Sequence, residues 1–242
     1  MTDQDQERMR AYLRKGAGFV PQLSVDCVIF TYHEQQLKVL LVQPMGLGTW
    51  ALPGGFVAQQ QDVEAAAAET LRERTGLREV PLHLFGVFGK ADRQTQDAQR
   101  AFFLAQGMEA HEFEWLMKRY VSIGYYALVQ HVTEAADGSP LADEVMWQDV
   151  YSLPPLAFDH ADMVNQALET LRTHIDQQVA QSRLLPEPFT MNALQTLYET
   201  ILNRPLRRNN FQRRMLGLGT LERMEKLFTG GAHKAPFLYR FL

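Results

Sequence analysis

The chain has 242 residues, 46% of them hydrophobic and 21% charged, with a net charge of −4. Such a composition excludes disorder, collagen and coiled coil, and it suffices for one large domain or a medium domain plus a small one. A single cysteine, Cys27, excludes a disulfide framework and a thiolate zinc cluster and fits a reducing compartment. The polar start MTDQDQERMRAYLRK has no apolar segment behind it, and no run approaches eighteen apolar residues. Secretion and membrane spanning are therefore unsupported, and the expected location is cytoplasmic.

In chain order, residues 1–20 read as a helical or frayed N-terminal arm. Residues 24–30 (SVDCVIF) and 37–43 (LKVLLVQ) are apolar runs separated by a turn, which predicts a hairpin on the edge of a buried sheet. Pro44 and Gly48 break the second run, residues 50–52 are a short extended piece, and Pro53-Gly54-Gly55 is a turn feeding a helix. That helix spans about 62–74, with Asp62 as N-cap, four alanines at 65–68 and Gly76 at the C′ position. A strand follows at 82–89, then a polar amphipathic stretch from Asp92 to Lys118 that reads as a loop plus a helix around 109–118. Residues 120–132 (YVSIGYYALVQHV) alternate and predict the longest strand of the chain; a turn at 135–140 and a short strand at 145–150 complete the set. Asp159 caps a long helix to about 181 that carries Met163, Ala167, Leu168, Leu171 and Ile175 on one side. LLPEP at 184–188 reads as a linker.

Residues 52–77, LPGGFVAQQQDVEAAAAETLRERTGL, resemble the Nudix box, G-x5-E-x7-R-E-U-x-E-E-x-G-U with U aliphatic, which binds magnesium and a diphosphate in Nudix hydrolases. Gly55 and Gly76-Leu77 anchor the frame without a gap, Leu71 takes the apolar position, and Trp50, Leu52, Pro53, Gly54 and Gly55 supply W-x-L-P-G-G. The ligand chemistry does not follow the frame. Gln61 stands for the early Glu, Glu69 for the Arg and Thr70 for the first ligand Glu; Glu73 is retained, and Arg74 replaces its neighbour. Magnesium requires several hard oxygen ligands, so Glu69 and Glu73 are weak metal candidates. Pairing of these two with Arg72 or Arg74 on a solvated face is the simpler expectation. No catalytic residue, metal or cofactor is expected in this chain.

The charge is unevenly distributed. From Arg183 to the C-terminus, ten Lys and Arg face four Glu, giving +6, so the preceding part carries −10. A basic end on an acidic body fits a polyanionic partner and, on charge alone, equally a solvated basic face. Thr190 caps a helical pattern with Leu194, Leu197, Tyr198, Ile201 and Leu202, which Asn203-Arg204-Pro205 stops. A second helix at 207–216 buries Phe211, Met215 and Leu216 and turns Arg207, Arg208, Asn210, Arg213 and Arg214 outward. Five arginines and no acid fall between Thr200 and Leu221. Helix, short turn and arginine-rich helix form the pattern of a helix-turn-helix. Gly230-Gly231-Ala232-His233-Lys234-Ala235-Pro236 before the strand 237–241 (FLYRF) has the form of a wing. The DNA-binding candidates are Arg204, Arg207, Arg208, Asn210, Arg213, Arg214, His233 and Lys234.

Taken together, these features resemble the Nudix-related transcriptional regulators, a family of bacterial proteins with a Nudix-like effector domain and a C-terminal winged helix-turn-helix. The carriers are VDCVIF, KVLLVQ, the degenerate box, RYVSIGYYAL at 119–128, LAFDH at 156–160, FTMNALQTLYETILNRPLRRNNFQRRM at 189–215 and APFLYRF. The resemblance implies an α+β protein in which a Nudix α/β/α sandwich with a mixed sheet precedes a small winged helix. The corresponding divisions are an arm at 1–20, an effector-binding domain at 21–158, a connecting helix at 159–183 and a DNA-binding domain at 184–242. It further implies a ligand-responsive regulator, sensing ADP-ribose in control of NAD metabolism or a sugar in control of its catabolism. Gln43, Trp50, Gly54, Gly55, Arg119 and Ser122 are the effector candidates, and a homodimer on a near-palindromic double-stranded DNA operator is implied. An insertion at about 94–118, containing Phe102, Phe103, Phe113, Trp115 and Met117, departs from the family and covers the pocket or enlarges the dimer interface. The alternatives are an active Nudix hydrolase with a basic nucleic-acid-binding tail, and an adaptor that binds nucleotide and protein.

Overall fold

The computed structural model describes residues 3–44, 48–91, 97–132, 142–227 and 235–242. The expected turn at 135–140, residues 92–96 at the head of the insertion, and His233 and Lys234 in the glycine-rich loop lie outside the described residues. Two units are present: Met1–Phe30 with Lys38–Ala127 and Val132–Glu169, and Thr31–Leu37 with Leu128–His131 and Thr170–Leu242. Among the described residues no helix is long and apolar enough to cross a membrane.

The first unit is built on a six-stranded sheet. Strands β1 (Phe19–His33), β2 (Gln36–Pro44), β3 (Gly54–Ala58), β4 (His83–Phe88), β5 (Val121–Val129) and β6 (Ala142–Asp149) are ordered β4-β5-β1-β2-β6, with β3 paired to β1. The hairpin expected at the sheet edge is therefore central, and the longest strand is the 15-residue β1, with β5 at nine. From Ser24 to Thr31 every residue of β1 is buried. Successive side chains point to opposite faces, so unbroken burial requires a layer on each side of the sheet. The apolar run in the sequence records that double cover.

The β1–β2 turn is two residues, Glu34 and Gln35, both at positive φ (51° and 59°). This twist suits a tight hairpin although neither residue is Gly or Asn. β3 occupies what the sequence presents as a turn. Gly54 and Gly55 pair with Asp26 and Val25: the missing Cβ of Gly54 leaves room for Asp26 of β1, and that of Gly55 for Thr70 on the following helix. Helix α2 (Val63–Thr75) starts after Asp62 and ends at Gly76 in the left-handed region, φ 74°. Cys27 is fully buried, its thiol contacts the Ala67 carbonyl at 3.7 Å, and desolvation pushes its pKa up, so it is a packing residue.

Among the described residues the insertion holds two short helices, one of them where the sequence predicts a loop. α1 (Asp3–Leu13), α3 (Asp97–Ala105) and α4 (Ala110–Phe113) meet in one apolar cluster of Met9, Leu13, Phe103, Met108 and Phe113, flanked by Phe102, Trp115, Leu116 and Met117. Glu109 and Glu112 form a reciprocal capping box at the start of α4. The inserted segment thus finds its partner in the N-terminal helix.

The expected single helix at 159–181 is two helices, α5 (His160–Thr173) and α6 (Ile175–Ser182). The break falls at His174, whose backbone (φ −108°, ψ 22°) leaves the helical region. The second unit continues with β7 (Phe189–Thr190), α7 (Met191–Leu202), α8 (Arg208–Gly217), β8 (Leu221–Lys226) and β9 (Phe237–Phe241), the strands ordered β7-β9-β8. Thr190 caps α7 through Ala193 N–H at 3.1 Å, as its sequence position predicts.

Phe113 is fully buried in the α1–α3–α4 cluster. Phe113→Ala is expected to cost about 3–5 kcal/mol in chemical denaturation and to raise amide exchange in α1. Unchanged stability would contradict this packing.

Candidate functional site

In the first unit a buried polar group lies behind the Gly54-Gly55 loop. Asp26 is a lone acid in an apolar strand and is 6% exposed. Ser122 Oγ, on β5 and fully buried, donates to Asp26 Oδ2. His160 is 3% exposed, and its Nε2 lies 3.6 Å from Asp26 Oδ1. The Leu52 amide donates to His160 Nδ1 at 2.9 Å, which assigns the ring proton to Nε2, facing the carboxylate. A Cβ on Gly54 would overlap Asp26 Oδ1, and one on Gly55 would overlap Thr70 Oγ1. Glycine is therefore required twice at this loop.

The altered Nudix-box side chains are used by the protein itself. Thr70 is buried against Gly55. Glu69 accepts from Gln61 Nε2 at 2.6 Å and from Arg72 at 3.1 Å. Glu73 is exposed. Arg74 Nε donates to the Gly54 carbonyl at 3.1 Å, and its guanidinium sits 5.9 Å from the centre of the Tyr12 ring. Burial pushes the Tyr12 hydroxyl above its ordinary range against the opposing pull of Arg74, so it stays protonated at neutral pH. Among the described residues no group of three or more His, Cys, Asp and Glu is arranged to hold a metal ion. The fold's magnesium does not fit these side chains: one ligand position is a packed threonine and another a guanidinium.

Of the effector candidates, Gly54 and Ser122 lie against Asp26, and Gly55 lies against Thr70. Trp50 bridges Leu156, and its carbonyl accepts from Ala157 N–H at 2.8 Å. Gln43 is half-buried on β2 opposite Glu144, and Arg119 is exposed just before β5. Asp26, His160 and Tyr12 were not singled out from the sequence. The available signal was an acid inside VDCVIF and the histidine that ends LAFDH.

In the second unit α7 and α8 form the helix-turn-helix. Phe211 and Met215 are buried one turn apart, and Phe211 meets Tyr198 edge-on, ring centres 5.1 Å apart. Arg204, Arg207, Arg208, Asn210, Arg213 and Arg214 are all exposed. Arg214 is also bound: its terminal nitrogen lies 2.7 Å from Asp176 Oδ2, while Tyr198 Oη donates to Oδ1 at 3.0 Å. Burial first, and then Asp176, raise the Tyr198 pKa, so Tyr198 remains the donor. Arg213 donates to Asn210 Oδ1 at 3.3 Å. On β8, Arg223 and Lys226 lie 4.6 and 5.1 Å from the Phe237 ring centre, adding two exposed cations that the helical pattern did not reveal.

Glu199 holds the turn between these helices. Its carboxylate accepts from Leu206 N–H at 2.7 Å and from Gln195 Nε2 at 2.9 Å. The Gln195 and Leu206 donors hold its pKa below the usual 4.5.

The fold and site define a class: a Nudix-type sheet-and-helix unit with a degenerate metal helix, joined to a winged helix-turn-helix with an arginine-rich face. The NUDIX domain family matches residues 20–166, and the NrtR DNA-binding winged helix domain matches residues 182–241. The chain belongs to the NUDIX family and carries the NrtR type of winged helix. It is 31% identical over 228 residues to the ADPR responsive transcriptional repressor NtrR of Acinetobacter baylyi, across 91% of this chain and 82% of that protein. The crystal structure of Shewanella oneidensis NrtR complexed with a 27mer DNA is similar at a TM-score of 0.65 and 28% identity, covering 91% of this chain and 94% of that one. An ADP-ribose pyrophosphatase of Methanocaldococcus jannaschii is 28% identical over 164 residues, or 66% of this chain and 77% of its own length.

A carboxylate whose pKa is lowered by folding stabilises fully above its unfolded pKa and loses that contribution as pH falls through the folded one. Glu199→Gln is therefore expected to lower the melting temperature at pH 7, with the gap from wild type closing below about 4.5. A gap that widens on acidification would contradict this role.

Proposed function

We propose that this protein is a DNA-binding transcriptional repressor whose Nudix-like domain senses ADP-ribose. The observation that carries the reading is the exposed Arg207, Arg208, Asn210 and Arg213 face on α8, second helix of a winged helix of NrtR type. Similarity to an ADPR responsive repressor over 91% of the chain supports the effector class. In this reading α8 enters the major groove, its arginines and Asn210 meet base edges and phosphates, and Arg204, Arg223 and Lys226 flank it on the backbone. His233 and Lys234 of the glycine-rich sequence are further candidates for contact with the DNA backbone. Arg214, bound to Asp176, sets the orientation of α8 and contributes charge from its exposed side.

The divisions are an effector domain at 21–158, a connecting segment at 159–183 and a DNA-binding domain at 184–242. The effector candidates are Gln43, Trp50, Gly54, Gly55, Arg119 and Ser122. A homodimer places two winged helices on a near-palindromic operator, and work on DNA places the protein in the cytoplasm. The effector domain binds without turnover, because Thr70 and Arg74 remove carboxylates that a metal-assisted hydrolase needs.

The test is a mobility shift with DNA from upstream of the gene at two salt concentrations, with and without ADP-ribose. Specific binding is expected, weakened by salt and altered at least about fivefold by ADP-ribose. No specific shift at low salt would overturn the proposal. Arg208→Ala and Arg213→Ala are each expected to weaken binding and, where they meet phosphate, to lower the log–log salt slope by about one. Incubation with ADP-ribose and magnesium is expected to release no AMP; release abolished by Glu73→Gln would establish the hydrolase instead.

A further inference from the structure

We propose that the effector site holds a diphosphate without a metal ion, the Arg74 guanidinium supplying the positive charge. This rests on ADP-ribose being the effector and concerns how the same site neutralises it. A bound diphosphate brings two negative charges against the protein, and burying them uncompensated is costly. The Nudix frame meets that cost with a dication on the carboxylates of the box helix. Here two of those positions are replaced, one by Thr70 packed on Gly55 and one by Arg74, and the exposed Glu73 is the single carboxylate retained.

Arg74 stands one helical turn after Thr70, hence on the same face of α2. Its position is set by contacts with the loop and with Tyr12. Nε is bonded to the Gly54 carbonyl in the loop, and the guanidinium plane lies beside the Tyr12 ring. Tyr12 in turn sits among Phe19, Phe56 and Trp115, with ring centres 6.4 Å away in each case. Trp115 Nε1 ties the cluster to the Leu13 carbonyl at 3.1 Å. The cation is thus half-buried beside aromatic walls, where charge–charge attraction exceeds that in water. It also lies in the last turn of α2, whose dipole favours positive charge. A planar guanidinium presents a rigid donor fork that matches phosphate oxygens in pairs, which a lysine does not reproduce.

The prediction is tested by calorimetric titration of the full chain with ADP-ribose, in EDTA and in excess magnesium. Equal affinity in the two buffers is expected. Arg74→Gln is expected to bind at least about tenfold more weakly in both, and Arg74→Glu weaker still, with no rescue by magnesium. Arg74→Lys, which keeps the charge and loses the fork, is expected to fall between wild type and Arg74→Gln. It also serves if the neutral variant melts below the assay temperature. Binding that requires magnesium, or Arg74→Gln and Arg74→Lys binding like wild type, would overturn the metal-free arginine site while leaving ADP-ribose as effector. No binding by wild type in either buffer would overturn the effector reading and this inference together.

Discussion

The first unit depends on giving partners to the Asp26 carboxylate in the interior of its sheet. A carboxylate so placed is tolerated only with close polar partners, and the protein draws them from separate parts of the chain. Ser122 comes from β5 and His160 from the start of α5; His160 in turn fixes the loop through Leu52 N–H. Gly54 lies in register with Asp26 and must lack a Cβ to do so. One side chain therefore sets where β1, β5, the signature loop and α5 meet, and Arg74 is attached to that loop through the Gly54 carbonyl. The position of the candidate effector site follows from this buried group.

The second unit uses the same physical device for another purpose. Asp176 on α6 is shared by Tyr198 of α7 and Arg214 of α8, so one carboxylate sets the mutual placement of three helices. Glu199 closes the turn between α7 and α8 by accepting the Leu206 amide. With these two acids committed internally, the arginine-rich side of α8 carries little opposing charge, and the +6 of the C-terminal segment becomes a surface property. The sharing also divides the arginines by role. Arg207, Arg208 and Arg213 belong to the outward face, whereas Arg214 serves the packing as well.

Much of this was legible in the amino-acid sequence because local rules and tertiary demands agree. The apolar runs of β1 and β2, the Gly76 cap of α2, the Thr190 cap of α7 and the Asn203 stop each follow from one residue's own chemistry. Elements set by distant partners were not legible. β3 begins with two glycines and reads as a turn, because what makes it a strand is the closeness of Asp26 and Thr70 to the backbone. α3 is helical through its packing on α1, about ninety residues earlier in the chain. The helix break at His174 sits inside an unbroken apolar periodicity. For the same reason the metal helix showed in the sequence only what it lacked; the use made of Thr70 and Arg74 required their neighbours in space.

Joining a candidate effector domain to a winged helix in one chain makes a thermodynamic demand: if ADP-ribose alters operator affinity, operator must alter ADP-ribose affinity by the same factor. The most direct test is the dissociation constant of ADP-ribose for the full chain measured free and saturated with its upstream DNA. A shift equal to the change that ADP-ribose makes in DNA binding, in the same direction, is expected. An ADP-ribose affinity unaffected by saturating specific DNA would contradict it.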